Sequence, residues 1–220
     1  SSDLIGLGGG SAIDAGKAIA GLLPAGGSVL RHLEGFADRV PWTGPALPVV
    51  AVPTTAGTGS EATRNAVITR TGPDGWKRSF RDEALVPADA IVDPDLLAGA
   101  PPALIAANGL DALTQLLEPL VCRRANPITD GLALQGLALA RDGLLPWFRD
   151  PSGPGAAAAR SAMAQAALLS GICLANAGLG AVHGFAAPLG ALLAIPHGET
   201  CGATLVPVTA TTIAALRERR

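Results

Sequence analysis

The segment DLIGLGGGSAIDAGKAIAGLL, residues 3–23, decides the fold of this chain, because a strand-like run, three consecutive glycines and a helical pattern follow one another directly. The apolar residues before the glycines are typical of a buried strand, whereas those after them recur at helical spacing. Glycines at such a turn let backbone amides and the positive end of the helix dipole receive a phosphate. A strand-to-helix turn that binds nothing has the same pattern, and the GxGxxG fingerprint is missing. The segment favours the beginning of a nucleotide-binding α/β layer.

The rest of the chain divides into a half with strands and a half with helices. Apolar runs bounded by turn residues predict further strands at 47–53, 65–70 and 89–94. Their continuous hydrophobicity is typical of strands covered on both faces in a parallel sheet. Ala- and Leu-rich segments predict helices at 102–107, 109–122, 127–147, 156–181, 183–193 and 208–217. We predict a partial dinucleotide-binding α/β domain with a parallel sheet over 1–96, followed by an all-α domain over 97–220.

Composition excludes several classes of partner. The formal net charge is −2 and the basic residues are scattered, which argues against nucleic acid. The stretch from Ser161 to Gly198 has no charged residue, but glycines, polar residues and a proline interrupt it, so we predict buried helices and no membrane span. Three cysteines without CxxC spacing, each among apolar neighbours, predict buried thiols in a cytoplasmic protein.

A second loop, VPTTAGTGSEAT at 52–63, follows the predicted strand at 47–53 and offers four hydroxyl groups within seven residues. In an open parallel sheet, ligands gather beyond the carboxyl ends of the strands. We therefore expect this loop and the glycine turn to form one anion-binding edge. A plain Ser/Thr turn explains either loop alone but not both. Ser11 is expected to cap the helix that follows the glycines.

Polar residues in the helical half indicate a metal site. Asp111, Gln115 and Glu118 are spaced to share one face of an apolar helix. His183 and His197 lie on either side of a predicted helix, and each alone is most simply a hydrogen-bonded core histidine. With Asp111, however, the two imidazoles suit a divalent metal such as iron or zinc. Gln115 is a weaker, neutral ligand. His32 stands apart, and we predict a surface or loop position for it.

Four segments read in order carry a family resemblance: GGGSAIDAGKA (8–18), PTTAGTGSEAT (53–63), GLDALTQLLE (109–118) and AVHGFAAPLGALLAIPHG (181–198). They resemble the iron-containing (group III) alcohol dehydrogenases, which have a dehydroquinate synthase-like fold. The resemblance implies an NAD- or NADP-dependent oxidoreductase that interconverts a small alcohol and its aldehyde or ketone. It also implies a set of cofactor-binding residues, with Lys77 near the ribose: Gly9, Gly10, Ser11, Asp14, Thr54, Thr55, Thr58, Ser60 and Lys77.

The same resemblance implies that Asp111, Gln115, His183 and His197 hold Fe2+ or Zn2+ at the domain cleft, with the two histidines as catalytic residues. Glu118 is expected to support this site. The chain departs from the family at Gln115, where a histidine is usual, and at Ala187, where many members have a second histidine. These departures leave open a nucleotide-binding homologue without metal or redox activity. A lyase of the dehydroquinate synthase type shares the architecture, but the segment TTAGTGSE favours the dehydrogenases.

Family members generally continue further at both ends, so the chain is similar to the middle of the family pattern. A core strand beginning near residue 3 then predicts an exposed sheet edge. We expect such an edge to favour self-association, and we predict a homo-oligomer.

Overall fold

A computed structural model describes residues 3–193 and 195–218, and its architecture confirms the predicted fold class. The α/β layer comprises β1 (Leu4–Gly8), α1 (Gly10–Ala25), β2 (Val49–Pro53), β3 (Asn65–Arg70), β4 (Trp76–Arg81) and β5 (Asp89–Ala90). The helical domain comprises α2 (Pro102–Leu120), α3 (Pro127–Arg149), α4 (Ala156–Ala177), α5 (Ala181–Leu193) and α6 (His197–Glu218).

The three-stranded sheet is parallel and has the order β1-β2-β5. β1 and β2 are in register from Leu4 opposite Val49 to Gly8 opposite Pro53, so both strands end at the same edge. Helix α1 packs on this sheet through Ile13, which is fully buried. Gly8 has a φ of 147°, a conformation that L side chains rarely adopt, so glycine is required where the chain leaves β1.

The prediction that residues 65–70 join the parallel sheet is wrong. They form β3, which pairs with β4 in an antiparallel hairpin. β4 was not predicted because its sequence, WKRSFR, is mostly charged or polar and buries only Phe80 completely. His32 lies in a turn, in agreement with the predicted surface or loop position, and its half-buried ring packs against Trp42 and Phe80 with centroid distances of 5.1 and 5.7 Å.

Most predicted helix boundaries are within two residues of those observed, and three differences are larger. The two helices expected at 102–107 and 109–122 are one helix, α2, because Gly109 continues the helix where Leu144 of α3 packs closely. Helix α4 ends at Ala177 instead of 181. Helix α6 begins at His197 and not at 208, and Pro207 lies inside it. This last difference matters for the site, since the part of α6 that was not predicted carries His197 and Cys201, both metal-ligand residue types.

Helix α4 forms the centre of the helical domain. By length and composition it could cross a membrane, with a mean hydropathy of 1.3 over its most apolar window. It packs instead against α2 and α3, with Met163, Ala166 and Cys173 fully buried. We therefore assign α4 to the core that also contains Ile105 and Leu116.

Candidate metal centre

The two loops predicted to form one edge do meet at the carboxyl ends of β1 and β2. The amide of Thr54 donates to the carbonyl of Gly8 at 2.9 Å. A Cβ on Gly9 would lie 3.3 Å from Cγ2 of Thr55, and one on Gly10 would lie 2.7 Å from Cγ2 of Thr58. Glycine at positions 9 and 10 therefore lets the loop at 52–63, which we call the threonine loop, pack against the start of α1.

Ser11 is not the N-cap of α1, contrary to the prediction. The cap is Gly9, whose carbonyl accepts hydrogen bonds from the amides of Ala12 and Ile13. Ser11 is exposed in the first turn. This first turn contains no acidic residue, and no side chain caps it. Its free backbone amides and the positive end of the helix dipole are therefore available to an anion beside the glycine turn and the threonine loop, which together we call the loop edge.

Asp14 and Ser60, both predicted to contact cofactor, belong to a buried cluster with Lys17. The Ser60 hydroxyl donates to the Asp14 carboxylate, which also accepts from the amide of Val67 at 3.1 Å. The Lys17 ammonium is fully buried, lies 3.0 Å from Asp14, and donates to the Ser60 carbonyl and to the Thr63 hydroxyl. This cluster ties α1 to the threonine loop.

The threonine loop also contacts the helical domain. Nε2 of Gln115 donates to the carbonyl of Gly57 at 3.0 Å, and a Cβ on Gly57 would lie 2.9 Å from Cβ of Asn108. Gly59 has a φ of 58° and packs against Gly171 of α4. The threonine loop therefore lies between the glycine turn at the end of β1 and helix α2.

Four potential ligand atoms converge where α2, α5 and α6 meet: one each from Asp111, His183, His197 and Cys201, all within 4.8 Å of one another. Oδ1 of Asp111 is 3.3 Å from Nε2 of His183 and 3.8 Å from Nε2 of His197. Sγ of Cys201 lies 3.7 Å from the same carboxylate oxygen. A carboxylate, two imidazoles and a thiol are a donor set that fits a divalent first-row metal.

Glu118 orients the first of these histidines. One of its carboxylate oxygens is 2.6 Å from Nδ1 of His183, and the other accepts from the amide of Val182, also at 2.6 Å. The bond to Nδ1 directs Nε2 of His183 toward Asp111. A carboxylate behind a ligand histidine fixes the ring and makes it a better donor.

Electrostatics in this cluster favour a bound positive charge. Burial raises the pKa of Asp111, but the hydrogen bond to His183 and nearby positive charges outweigh burial and lower the pKa below its usual range. Burial lowers the pKa of His183, yet its bonds to Asp111, Cys201 and Glu118 raise that pKa to about 11. In the metal-free protein, His183 therefore holds a proton at neutral pH.

His197 and Lys77 respond differently. Burial lowers the pKa of His197 to about 4, against the opposing attraction of Asp111, so this ring is neutral. Burial also lowers the pKa of Lys77, while Asp111, Cys201 and Asp14 each raise it. Lys77 on β4 is thus close enough to Asp111 and Cys201 of the metal cluster, and to Asp14 of the Lys17 cluster, for their charges to shift its pKa.

The structure brings together Asp111, His183 and His197, as the sequence predicted. Gln115 is buried one turn beyond Asp111 and makes its hydrogen bond to Gly57. Cys201 was missed, because it was interpreted as a buried thiol among apolar neighbours. The available signal was its position four residues after His197, which puts both on one face of a helix.

The fold and site define a nucleotide-type α/β layer joined to a helical domain with a candidate metal centre. The family model for iron-containing alcohol dehydrogenase matches residues 3–94, and the model for the C-terminal part of the Fe-containing alcohol dehydrogenase family matches 105–220. The chain therefore belongs to the iron-containing alcohol dehydrogenase family, which confirms the resemblance inferred from its four motifs.

Known relatives match along nearly the whole chain. Alcohol dehydrogenase 4 of Saccharomyces cerevisiae is 41% identical over 204 residues, which are 93% of this chain and 51% of that protein. A structure of 1,3-propanediol oxidoreductase superposes with a TM-score of 0.84 at 38% identity, covering 95% of this chain and 52% of the other.

A sulfoacetaldehyde reductase from Bifidobacterium kashiwanohense, solved in complex with NAD+, has a TM-score of 0.80 at 33% identity and covers 91% and 52% of the two chains. The chain spans about half the length of the relatives that it matches.

Proposed function

We propose that the protein is an NAD- or NADP-dependent oxidoreductase that interconverts a small alcohol and its aldehyde or ketone, with a divalent metal at the cleft. The observation that carries this proposal is the convergence of Asp111, His183 and His197 beside the loop edge. Family membership supports it, as do the relatives described above, which are named as alcohol or aldehyde oxidoreductases.

The loop edge supports the cofactor part of the proposal. We assign the pyrophosphate to the turn at Gly9, Gly10 and Ser11, where free amides at the start of α1 favour an anion. Thr54, Thr55 and Thr58 line the neighbouring loop and offer hydroxyl donors. Asp14 and Ser60 hold that loop against α1 from within, through Lys17. Their contribution to cofactor binding is therefore positional.

In the catalytic part, Asp111, His183 and His197 would hold the metal, with Glu118 fixing the ring of His183. A metal held by these residues would supply a Lewis acid for the substrate oxygen, and a bound nicotinamide would supply or accept the hydride. Burial lowers the pKa of Lys77, and the nearby charge of Asp111 opposes that shift; in its protonated form this lysine would favour the negatively charged cofactor. Ala187 has no titratable group, so a water or a hydroxyl carries the substrate proton.

Steady-state kinetics of the full-length protein test this proposal. Short alcohols and diols are offered with NAD+ or NADP+, and aldehydes with the reduced cofactors, each with added ferrous iron or zinc. We expect turnover that Asp111→Asn abolishes. Asp142→Asn is the matched control, because this aspartate is exposed and pairs only with Arg141 at the surface.

Calorimetry separates the alternative function suggested by Gln115 and Ala187, a nucleotide-binding protein without redox activity. That protein would bind cofactor but take up no metal and transfer no hydride. This outcome with the full-length protein would overturn the proposal. Uptake of one metal ion together with cofactor-dependent turnover would exclude the alternative.

We further propose a boundary between the two domains at residues 96 and 97, a cytoplasmic location and a homo-oligomer. A reduced state for Cys122, Cys173 and Cys201 supports the location, and all three are free thiols. Sedimentation measurements of the full-length protein test the oligomeric state.

A further inference from the structure

We propose that Cys201 is the fourth protein ligand of the metal centre, in place of Gln115, and that its thiolate makes the site select zinc over ferrous iron. This inference rests on the metal centre of the proposed function. It concerns which side chains form the centre and which metal they prefer.

The position of Cys201 follows from helix α6. Cys201 is four residues after His197, so the two side chains project from one face of the helix one turn apart. Sγ is 3.9 Å from Nε2 of His197, 4.0 Å from Nε2 of His183 and 3.7 Å from Oδ1 of Asp111. The thiol therefore faces all three of the other ligand atoms.

Five of the six separations between donor atoms are close to those of a tetrahedral site, and the two histidine nitrogens lie within 4.8 Å of each other. With metal–nitrogen and metal–oxygen bonds of about 2.0–2.1 Å and a metal–sulfur bond of about 2.3 Å, donor atoms lie about 3.3 Å apart for nitrogen and oxygen pairs and about 3.6 Å apart for pairs with sulfur. Asp111 lies 3.3 and 3.8 Å from the two histidine nitrogens. The sulfur separations are only a few tenths of an ångström longer than the tetrahedral values, so a small inward movement closes the site.

The other two thiols differ from Cys201 in what they face. Sγ of Cys122 is 2.8 Å from the carbonyl of Ala177, and Sγ of Cys173 is 3.5 Å from the carbonyl of Thr129. Main-chain carbonyls are the usual partners of a buried thiol that only packs. Cys201 alone of the three faces a carboxylate and two imidazole nitrogens.

Gln115 is the competing fourth ligand, and its contact argues against that role. Its amide nitrogen donates to the carbonyl of Gly57, which commits the side chain to holding the threonine loop on α2. A carboxamide is also neutral. A thiolate together with the carboxylate of Asp111 neutralises the two charges of a divalent metal in a buried site, where an unbalanced charge is costly.

Thiolate ligation strengthens the preference for zinc. A thiolate is a soft donor, and zinc is bound more strongly than ferrous iron by most nitrogen and sulfur donor sets. Zinc also accepts a tetrahedral arrangement of mixed nitrogen, oxygen and sulfur donors without an electronic penalty. We therefore expect zinc to displace ferrous iron from this site when both are supplied at equal concentration.

Cobalt(II) is the probe that tests the ligand directly, because zinc itself is spectroscopically silent. Metal-free full-length protein is titrated with cobalt(II), and near-ultraviolet absorption from thiolate-to-cobalt charge transfer is recorded. We expect this band in the native protein and in Gln115→Ala. We expect Cys201→Ser to lose the band and to bind zinc about 100-fold more weakly. Cys173→Ser, which alters a thiol of equal burial, keeps both.

A second measurement does not depend on any variant folding. In the native protein Cys201 is buried, so its alkylation is followed over long exposure by mass spectrometry of peptides; bound zinc is expected to slow the modification of Cys201 while leaving that of the equally buried Cys173 unchanged. Cobalt binding without a charge-transfer band, and with no protection of Cys201, would overturn the ligand assignment and leave the metal centre intact. Failure to bind any metal would overturn the centre of the proposed function as well.

Discussion

The buried polar cluster around Lys17 and the metal centre around Asp111 differ in the source of their positive charge. In the α/β layer, the Lys17 ammonium pairs with Asp14 and donates to Ser60 and Thr63, so the chain itself supplies the cation. In the helical domain, four ligand atoms point toward one another, and the positive charge comes from a proton on His183 or from a metal.

This difference separates a structural cluster from a binding site. A buried carboxylate that is paired with an ammonium group and accepts hydrogen bonds within the chain is already satisfied without a bound ligand. A carboxylate among imidazoles and a thiol is best satisfied by an ion that the chain does not contain. The first cluster therefore holds the threonine loop in place, and the second is available for chemistry.

Removing the buried ammonium group of Lys17 is expected to have the largest effect on the free energy of unfolding. Lys17→Met leaves the buried Asp14 carboxylate without its positive partner, and we expect the free energy of unfolding to fall by about 3–5 kcal/mol. Urea denaturation followed by circular dichroism measures this. The double variant with Asp14→Asn should recover part of the loss. If the double variant is as unstable as the single one, the ion pair is not what Lys17 contributes.

Adding zinc tests the metal centre around Asp111. Zinc at a free concentration 100 times its dissociation constant should raise the free energy of unfolding by about 2.7 kcal/mol, because it binds only the folded chain. Thermal unfolding with and without zinc measures the gain. In Asp111→Asn the gain should disappear, whereas in Asp142→Asn it should persist. An equal gain in both variants would place the zinc elsewhere.

A smaller effect is expected from the carboxylate behind His183. Glu118→Gln keeps the shape of the side chain but removes the charge that fixes the imidazole, so zinc affinity should fall about 10-fold. This loss corresponds to about 1.4 kcal/mol of binding free energy. Competition with a chromophoric chelator measures it. Unchanged affinity would mean that packing alone orients His183.

The smallest expected effect concerns alkaline pH. Burial lowers the pKa of Lys17 below its ordinary value of 10.5, although Asp14 opposes this. Between the folded and unfolded pKa values the unfolded chain binds more protons, so stability should rise with pH through that window. Urea midpoints at several alkaline pH values measure the rise. Lys17→Met should remove it, and a rise that persists in this variant would have another origin.

The strand and helix patterns around the glycine turn were predicted well because they depend on neighbours within a few residues. β1, α1 and β2 were all found close to their expected positions. β4 was not, since its charged residues give no strand pattern and only pairing with β3 makes it a strand. Tertiary pairing outweighed local propensity there.

The candidate site shows the same limit. Asp111, His183 and His197 were identified from their residue types and from the family resemblance. Cys201 was interpreted only as a buried thiol. Because its helix was predicted to begin at 208, the spacing of four residues from His197 did not indicate that the two side chains share a helix face. The error in the predicted start of α6 therefore kept Cys201 from being identified as a candidate ligand.

By itself, the sequence determined the succession from an α/β layer to a helical half, the glycine turn at the end of β1 and the residue types able to bind a metal. These depend on backbone conformation and on chemistry carried within short segments. Only the tertiary structure decided which polar groups satisfy one another. Asp111 meets His183 across 72 positions of the chain, Gln115 turns to Gly57, and Cys201 takes the place beside the histidines. Packing of α2, α5 and α6 fixes those partners, and packing is a property of the whole fold.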